Sequence, residues 1–116
     1  MRVVISGELE FAADVRDAAL TEAKDWIDMA LAEQGCCHYA WSADPHYPGR
    51  VHVFEEWDSA EDLQAHLESP AYIGMAGHLG KFAILGAVTR KYRVDLVEPV
   101  YGPDGVATAT FLTAKG

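Results

Sequence analysis

The segment 35–70 most limits what this chain can become. Two runs within it, Cys36–Ala43 and Arg50–Trp57, are rich in aromatic and β-branched residues and have the length of strands. Between them lies Asp44-Pro45-His46-Tyr47-Pro48-Gly49, a loop by its proline and glycine content. Two strands joined by so short a connection pair as an antiparallel hairpin, and side chains alternate between its two faces. Cys37, Tyr39 and Trp41 are expected on one face of the first strand. Val51, Val53, Glu55 and Trp57 share a face of the second, and His52, Phe54 and Glu56 take the other.

The flanks complete the pattern. Residues 2–11 read as a first strand, and residues 12–34 as a helix with Leu20, Ala23, Ile27, Ala30 and Leu31 on one face and Gly35 as its stop. Asp58 or Ser59 caps a second helix, the spacing from Asp58 to Glu61 resembling a capping box. Glycines at 74, 77, 80 and 86 interrupt the apolar stretch 70–87, which reads as a broken helix and mobile cover. Residues 88–97 return to strand alternation, with Tyr92, Val94 and Leu96 on one face. The order strand, helix, strand, strand, helix, strand is that of an α+β, ferredoxin-like βαββαβ fold with an antiparallel sheet. Helices then cover one sheet face, and the other must meet something, most simply a second copy of the chain. Residues 1–98 form this domain. Residues 99–116 form a C-terminal extension, in which Gly102-Pro103-Asp104-Gly105 is a turn and 106–112 a further short strand, giving a hairpin or dimer arm.

Charge narrows the partners. Nine Lys and Arg stand against 18 Asp and Glu, a net charge of −9, with no basic cluster. Nucleic acid and anionic membrane surfaces are therefore not expected partners. Residues 1–8 do not read as a signal peptide, no apolar stretch is long enough to span a bilayer, and the expected compartment is the cytoplasm. The adjacent Cys36 and Cys37 would form a strained disulfide and are read as small buried hydrophobes. His38, His46, His52 and His78 show no metal-ligand spacing, so no metal is expected. Neither a phosphate-binding glycine loop nor a serine nucleophile motif is present.

Three kinds of residue could carry chemistry. Glu55 lies among apolar neighbours, and an inward carboxylate needs a hydrogen bond or a cation. It is either a base or polar anchor for a ligand, or a structural group bonded to a tyrosine hydroxyl or backbone amides. His66 follows Leu63 by one helical turn, beside the inward stripe of Ala60, Leu63 and Leu67. It is either a catalytic base or a core-edge histidine bonded to a carbonyl. Tyr39, Trp41, Trp57, Tyr72 and Phe82 could line a flat apolar pocket or simply pack the core.

In these residues the chain resembles the antibiotic biosynthesis monooxygenase family of dimeric α+β barrels. The shared features are Gly-Cys-x-x-Tyr at Gly35-Cys36-Cys37-His38-Tyr39, then Asp44, Glu-x-Trp at Glu55-Glu56-Trp57, a helix histidine at His66, and Ser69-Pro70. The similarity spans roughly 2–98 and is specific over 35–70. It implies a homodimer with a pocket between sheet and helices, and oxidation of a small aromatic, phenolic or quinol-like metabolite by O2 with no cofactor. His66 would be the base, Tyr39, Trp41 and Trp57 the wall or donors, and Tyr72 and Phe82 the cover. A non-catalytic ligand-binding or structural dimer is the alternative. A haem-binding oxygenase is a further one, although residues 3–8 lack the asparagine of the haem-degrading relatives.

Overall fold

The computed structural model describes residues 1–113. Its elements are β1 (Arg2–Glu10), α1 (Arg16–Thr21), α2 (Lys24–Leu31), β2 (Cys36–Ala43), β3 (Arg50–Trp57), α3 (Ala60–Leu67), α4 (Pro70–Gly80) and β4 (Gly86–Val94). The strands form one sheet in the order β2-β3-β1-β4, every pair antiparallel. This is the expected α+β, ferredoxin-like architecture. The core lies between the helices and the sheet face that carries Val3, Leu9, Tyr39, Val51, Val53 and Trp57.

Four expectations need correction. The single helix over 12–34 is two helices, because the backbone tightens at Ala23, whose N–H bonds to the carbonyl of Leu20. The bend seats Ala19 and Ala23 in one core cluster and Ala30 in the other, all three essentially inaccessible. The cap of α3 is Ser59, whose hydroxyl accepts from the Asp62 N–H at 3.1 Å, so the capping box does not start at Asp58. The stretch after Ser69 is one unbroken helix, α4, with Ser69 as cap and Pro70 in its first turn. Its glycines are tolerated because Ala71, Met75, His78 and Leu79 are buried, and because Gly74 receives the indole of Trp26. A Cβ at Gly74 would overlap that ring. Finally, β4 begins at Gly86, locked by its pairing from Glu10↔Gly86 to Arg2↔Val94, so Leu96 falls outside it.

The hairpin also departs from simple alternation. β2 carries a bulge between Cys36 and His38. Cys36 therefore packs on the core side, and Cys37 turns away from Tyr39 and Trp41. Both thiols are only half-buried, and Cys37 donates to Asp58 Oδ1 at 3.2 Å. Asp44 closes the β2–β3 loop by accepting from the His46 and Tyr47 N–H groups at 2.7 and 3.0 Å and pairing with His52 at 2.6 Å. The His52 bond first, and the backbone bonds next, hold its carboxyl well below the usual range. In the extension, Gly102–Gly105 turns as expected, but only Tyr101 and Ala107 bridge. No strand forms over 106–112 among the described residues.

Gly74→Ala is expected to lower stability by about 1–3 kcal/mol, since the Trp26 indole must move. Gly77→Ala, with no atom near its missing Cβ, is expected to raise it by roughly 0.5–1 kcal/mol. Urea unfolding midpoints of the two variants check both.

Candidate functional site

β3 places Glu55 and Trp57 two residues apart on the core-facing side of the sheet, where long side chains can meet. Trp57 is 0% exposed, and its indole N–H donates to Glu55 Oε1 at 3.1 Å. The tryptophan ring stacks on His66, with centroids 4.5 Å apart and planes at 28°. His66 comes from the last turn of α3 and is 2% exposed. Its Nδ1 lies 2.5 Å from Glu33 Oε1, in the turn after α2, and its Nε2 faces Glu55 Oε1 at 3.7 Å. Tyr39 and Tyr72 meet the histidine edge-on at 5.5 and 5.8 Å between ring centroids.

In front of this cluster lies a cavity of about 290 Å³, close to the lower end of the roughly 300–1,000 Å³ typical of sites for drug-sized ligands. Ile5, Val53 and Thr89 from the sheet face Met75 and Leu79 of α4 across it. Tyr39, Trp41, Glu55, Tyr72 and the Ile84 segment complete the wall. The lining is mostly apolar, and Glu55 is the one carboxylate in it among the described residues. The Trp41 indole N–H is buried beside the Tyr39 phenol and makes no well-formed hydrogen bond among the described residues.

The expected site residues thus divide. Tyr39, Trp41, Tyr72 and Glu55 line the cavity. His66 and Trp57 sit behind its wall, in contact with Glu55 rather than with an occupant. Phe82 packs on His78, with ring centroids 5.2 Å apart, and lies outside the lining. The partner of Glu55 is the Trp57 indole, not a tyrosine hydroxyl or backbone amide. The partner of His66 is Glu33, not a carbonyl. Glu33 was not among the expected residues: it stands in an irregular turn, and no periodicity points to it.

Burial is the main influence on Glu55 and raises its pKa above the ordinary value of 4.5; the Glu33 charge adds to this. The Trp57 hydrogen bond and the facing His66 oppose it. Burial also pushes the Tyr39 phenol up, opposed next by the neighbouring Trp41 indole, so it is a neutral O–H donor at neutral pH. His66 presents neither ring nitrogen to the cavity. The geometry for an axial iron ligand is therefore missing, and the site does not fit haem. No group of three histidine, cysteine or acidic side chains among the described residues is arranged to hold a metal ion. No helix there is long and apolar enough to cross a membrane.

Residues 2–76 match the family model described as antibiotic biosynthesis monooxygenase. The chain belongs to that family. Solved structures carry the same fold. One, from Deinococcus radiodurans and assigned to antibiotic biosynthesis monooxygenases by name only, superposes with a TM-score of 0.77 at 21% identity, covering 86% of this chain and 99% of that one. Rv0793 from Mycobacterium tuberculosis has a TM-score of 0.72 at 22% identity, covering 84% and 98%. A conserved protein from Methanosarcina mazei gives 0.72 at 18% identity, covering 80% and 92%. At these identities the likeness bears on fold. No curated protein matches the chain.

A carboxyl whose folded pKa is raised binds more protons folded than unfolded, so its contribution falls as pH climbs from the ordinary glutamate range through the raised value. Glu55→Gln is therefore expected to gain stability relative to the wild type as pH rises from the ordinary glutamate value of 4.5 through the raised one. Urea unfolding of both proteins across that range measures the difference.

Proposed function

We propose that this protein is a cofactor-independent monooxygenase acting on a small planar phenol or quinol-like metabolite, and that Glu55 is the base that meets the substrate. One observation carries the reading: a lone carboxylate, buried in an apolar cavity and bonded by Trp57, faces the space a ligand would fill. A flat ring fits between the aromatic side chains and Met75. Its hydroxyl would donate to Glu55, and a second oxygen would accept from the Trp41 N–H.

The chemistry balances without another reactant. Glu55 takes the phenolic proton, leaving an electron-rich phenolate. That anion passes one electron to O2, and the resulting phenoxyl radical and superoxide combine at a ring carbon. The proton returns to the peroxide. The C–H bond at the peroxide-bearing ring carbon then breaks, its electron pair forms the second C=O as the O–O bond cleaves, and the departing hydroxide takes that proton and leaves as water. Phenol plus O2 thus becomes a quinone plus water, a four-electron oxidation matching the four-electron reduction of O2. The protein supplies the base, orientation and a site poor in water. An outer-face homodimer belongs to the same proposal: Phe54, Val88 and Tyr92 stand exposed on the sheet face away from the helices. Light scattering at twice the chain mass of 12.7 kDa would support it, and a monomer would remove it.

Oxygen uptake with a panel of phenols and hydroquinones tests the activity. Turnover above buffer is expected, with Glu55→Gln reducing kcat at least about 100-fold and Phe82→Leu changing it little. Binding without turnover across the panel would instead favour a ligand-binding protein, and full activity in Glu55→Gln would reject the mechanism.

A further inference from the structure

The proposed reaction needs a place for the phenolic proton while O2 is reduced. Behind Glu55 stands a set of groups that no part of that reaction has used. Nε2 of His66 is 3.7 Å from Glu55 Oε1, and Nδ1 of the same ring is 2.5 Å from Glu33 Oε1. The imidazole thus sits between two carboxylates, one at the cavity and one at the surface. The exposures run in the same direction. The side chain of Glu55 is 10% exposed, that of His66 1%, and that of Glu33 21%. Trp57 clamps the ring by stacking on one side, and Tyr39 and Tyr72 fix it edge-on. A histidine kept only for packing needs neither carboxylate, since both nitrogens could be left to a carbonyl or to solvent.

We propose that Glu55, His66 and Glu33 form a proton relay from the cavity to the surface, with His66 and Glu33 acting through Glu55 as positioning and transfer residues. The inference rests on Glu55 being the base of the proposed reaction. When Glu55 has taken the proton on the oxygen that Trp57 does not hold, rotation of the carboxyl and a shift of under about 1 Å bring the protonated oxygen within hydrogen-bond distance of Nε2. The proton passes to Nε2, and the proton on Nδ1 passes to Glu33, which exchanges it with water. The ring ends as the other neutral tautomer. Return of a proton to the peroxide runs the same path backwards and resets the ring, so the cycle is neutral in protons. The charged and titratable groups around His66 are Glu33 from the turn after α2, Tyr39 of β2, Glu55 of β3 and Tyr72 of α4, with Cys36 next to both carboxylates. None of them is a cation competing for Glu33.

Glu33→Gln keeps the size of a partly exposed turn residue and isolates the transfer step. Anisole, which has no acidic O–H, is added at a concentration shown by calorimetry to saturate the protein, so that the cavity is occupied while Glu55 exchanges its proton. A pH jump followed by time-resolved infrared detection of the Glu55 carboxyl band then reads its proton exchange. The expected result is exchange slowed at least about tenfold in Glu33→Gln and restored by added imidazole, with the wild type indifferent to imidazole. Equal rates in the two proteins would overturn the relay. On a phenol the wild type turns over, Glu33→Gln should lower kcat with KM unchanged, again with imidazole rescue. A loss insensitive to imidazole would mark Glu33 as merely structural and also overturn the relay. If no phenol is turned over, the proposed activity fails, while the infrared arm still decides the relay.

Discussion

Glu55 accepts a hydrogen bond from the indole of Trp57 two residues later on the same strand, and the rest of the site is arranged around that contact. Alternation on β3 puts both side chains on the core face, where Trp57 can be wholly buried and Glu55 nearly so. A buried carboxylate without a donor would cost several kcal/mol of desolvation. The indole N–H meets that need from one side, and it leaves the second carboxylate oxygen available to whatever enters the cavity. His66 then stacks on the same indole, so a single tryptophan orients both ionisable groups.

The surrounding fold keeps the contact in place. β3 is an inner strand, paired to β2 on one side and β1 on the other, so its backbone cannot slide without moving two ladders. α3 and α4 are each started by a serine cap, Ser59 and Ser69, which fixes where His66 and Tyr72 come down on the sheet. Gly74 lets α4 approach Trp26 closely, and this sets the height of the helix over the cavity floor. Stability and chemistry pull against each other here: the burial that makes Glu55 a better base also makes its ionised form costly to hold.

Much of this was legible in the sequence, and the reasons are local. The β2–β3 hairpin shows in the alternation of Val51, Val53, Glu55 and Trp57, and the element order fixes the sheet. Glu55, His66, Tyr39, Trp41 and Tyr72 stand out because their chemistry is unusual for their surroundings. What the sequence hides is where tertiary packing overrides a local signal. The bulge that turns Cys37 outward leaves no compositional trace. The glycines of α4 argue against a helix until Trp26 is seen resting on Gly74. Glu33 falls in the helix expected over 12–34 but off its apolar face, and the structure places it in the turn after α2, so its contact with His66, 33 positions later, could come only from the folded chain. For the same reason the sequence could not tell that His66 and Trp57 support the cavity wall from behind.

The central claim is that burial at the cavity wall raises the pKa of Glu55 above that of an ordinary carboxylate and so makes it the stronger base that meets the substrate. A carbon-13 NMR titration of the glutamate side-chain carboxyls in the unliganded wild-type protein, with Glu55 assigned by its loss in Glu55→Gln, tests it most directly. The account predicts one carboxyl titrating clearly above the ordinary value of 4.5 and assigned to Glu55. A Glu55 resonance titrating at or below that value would contradict it.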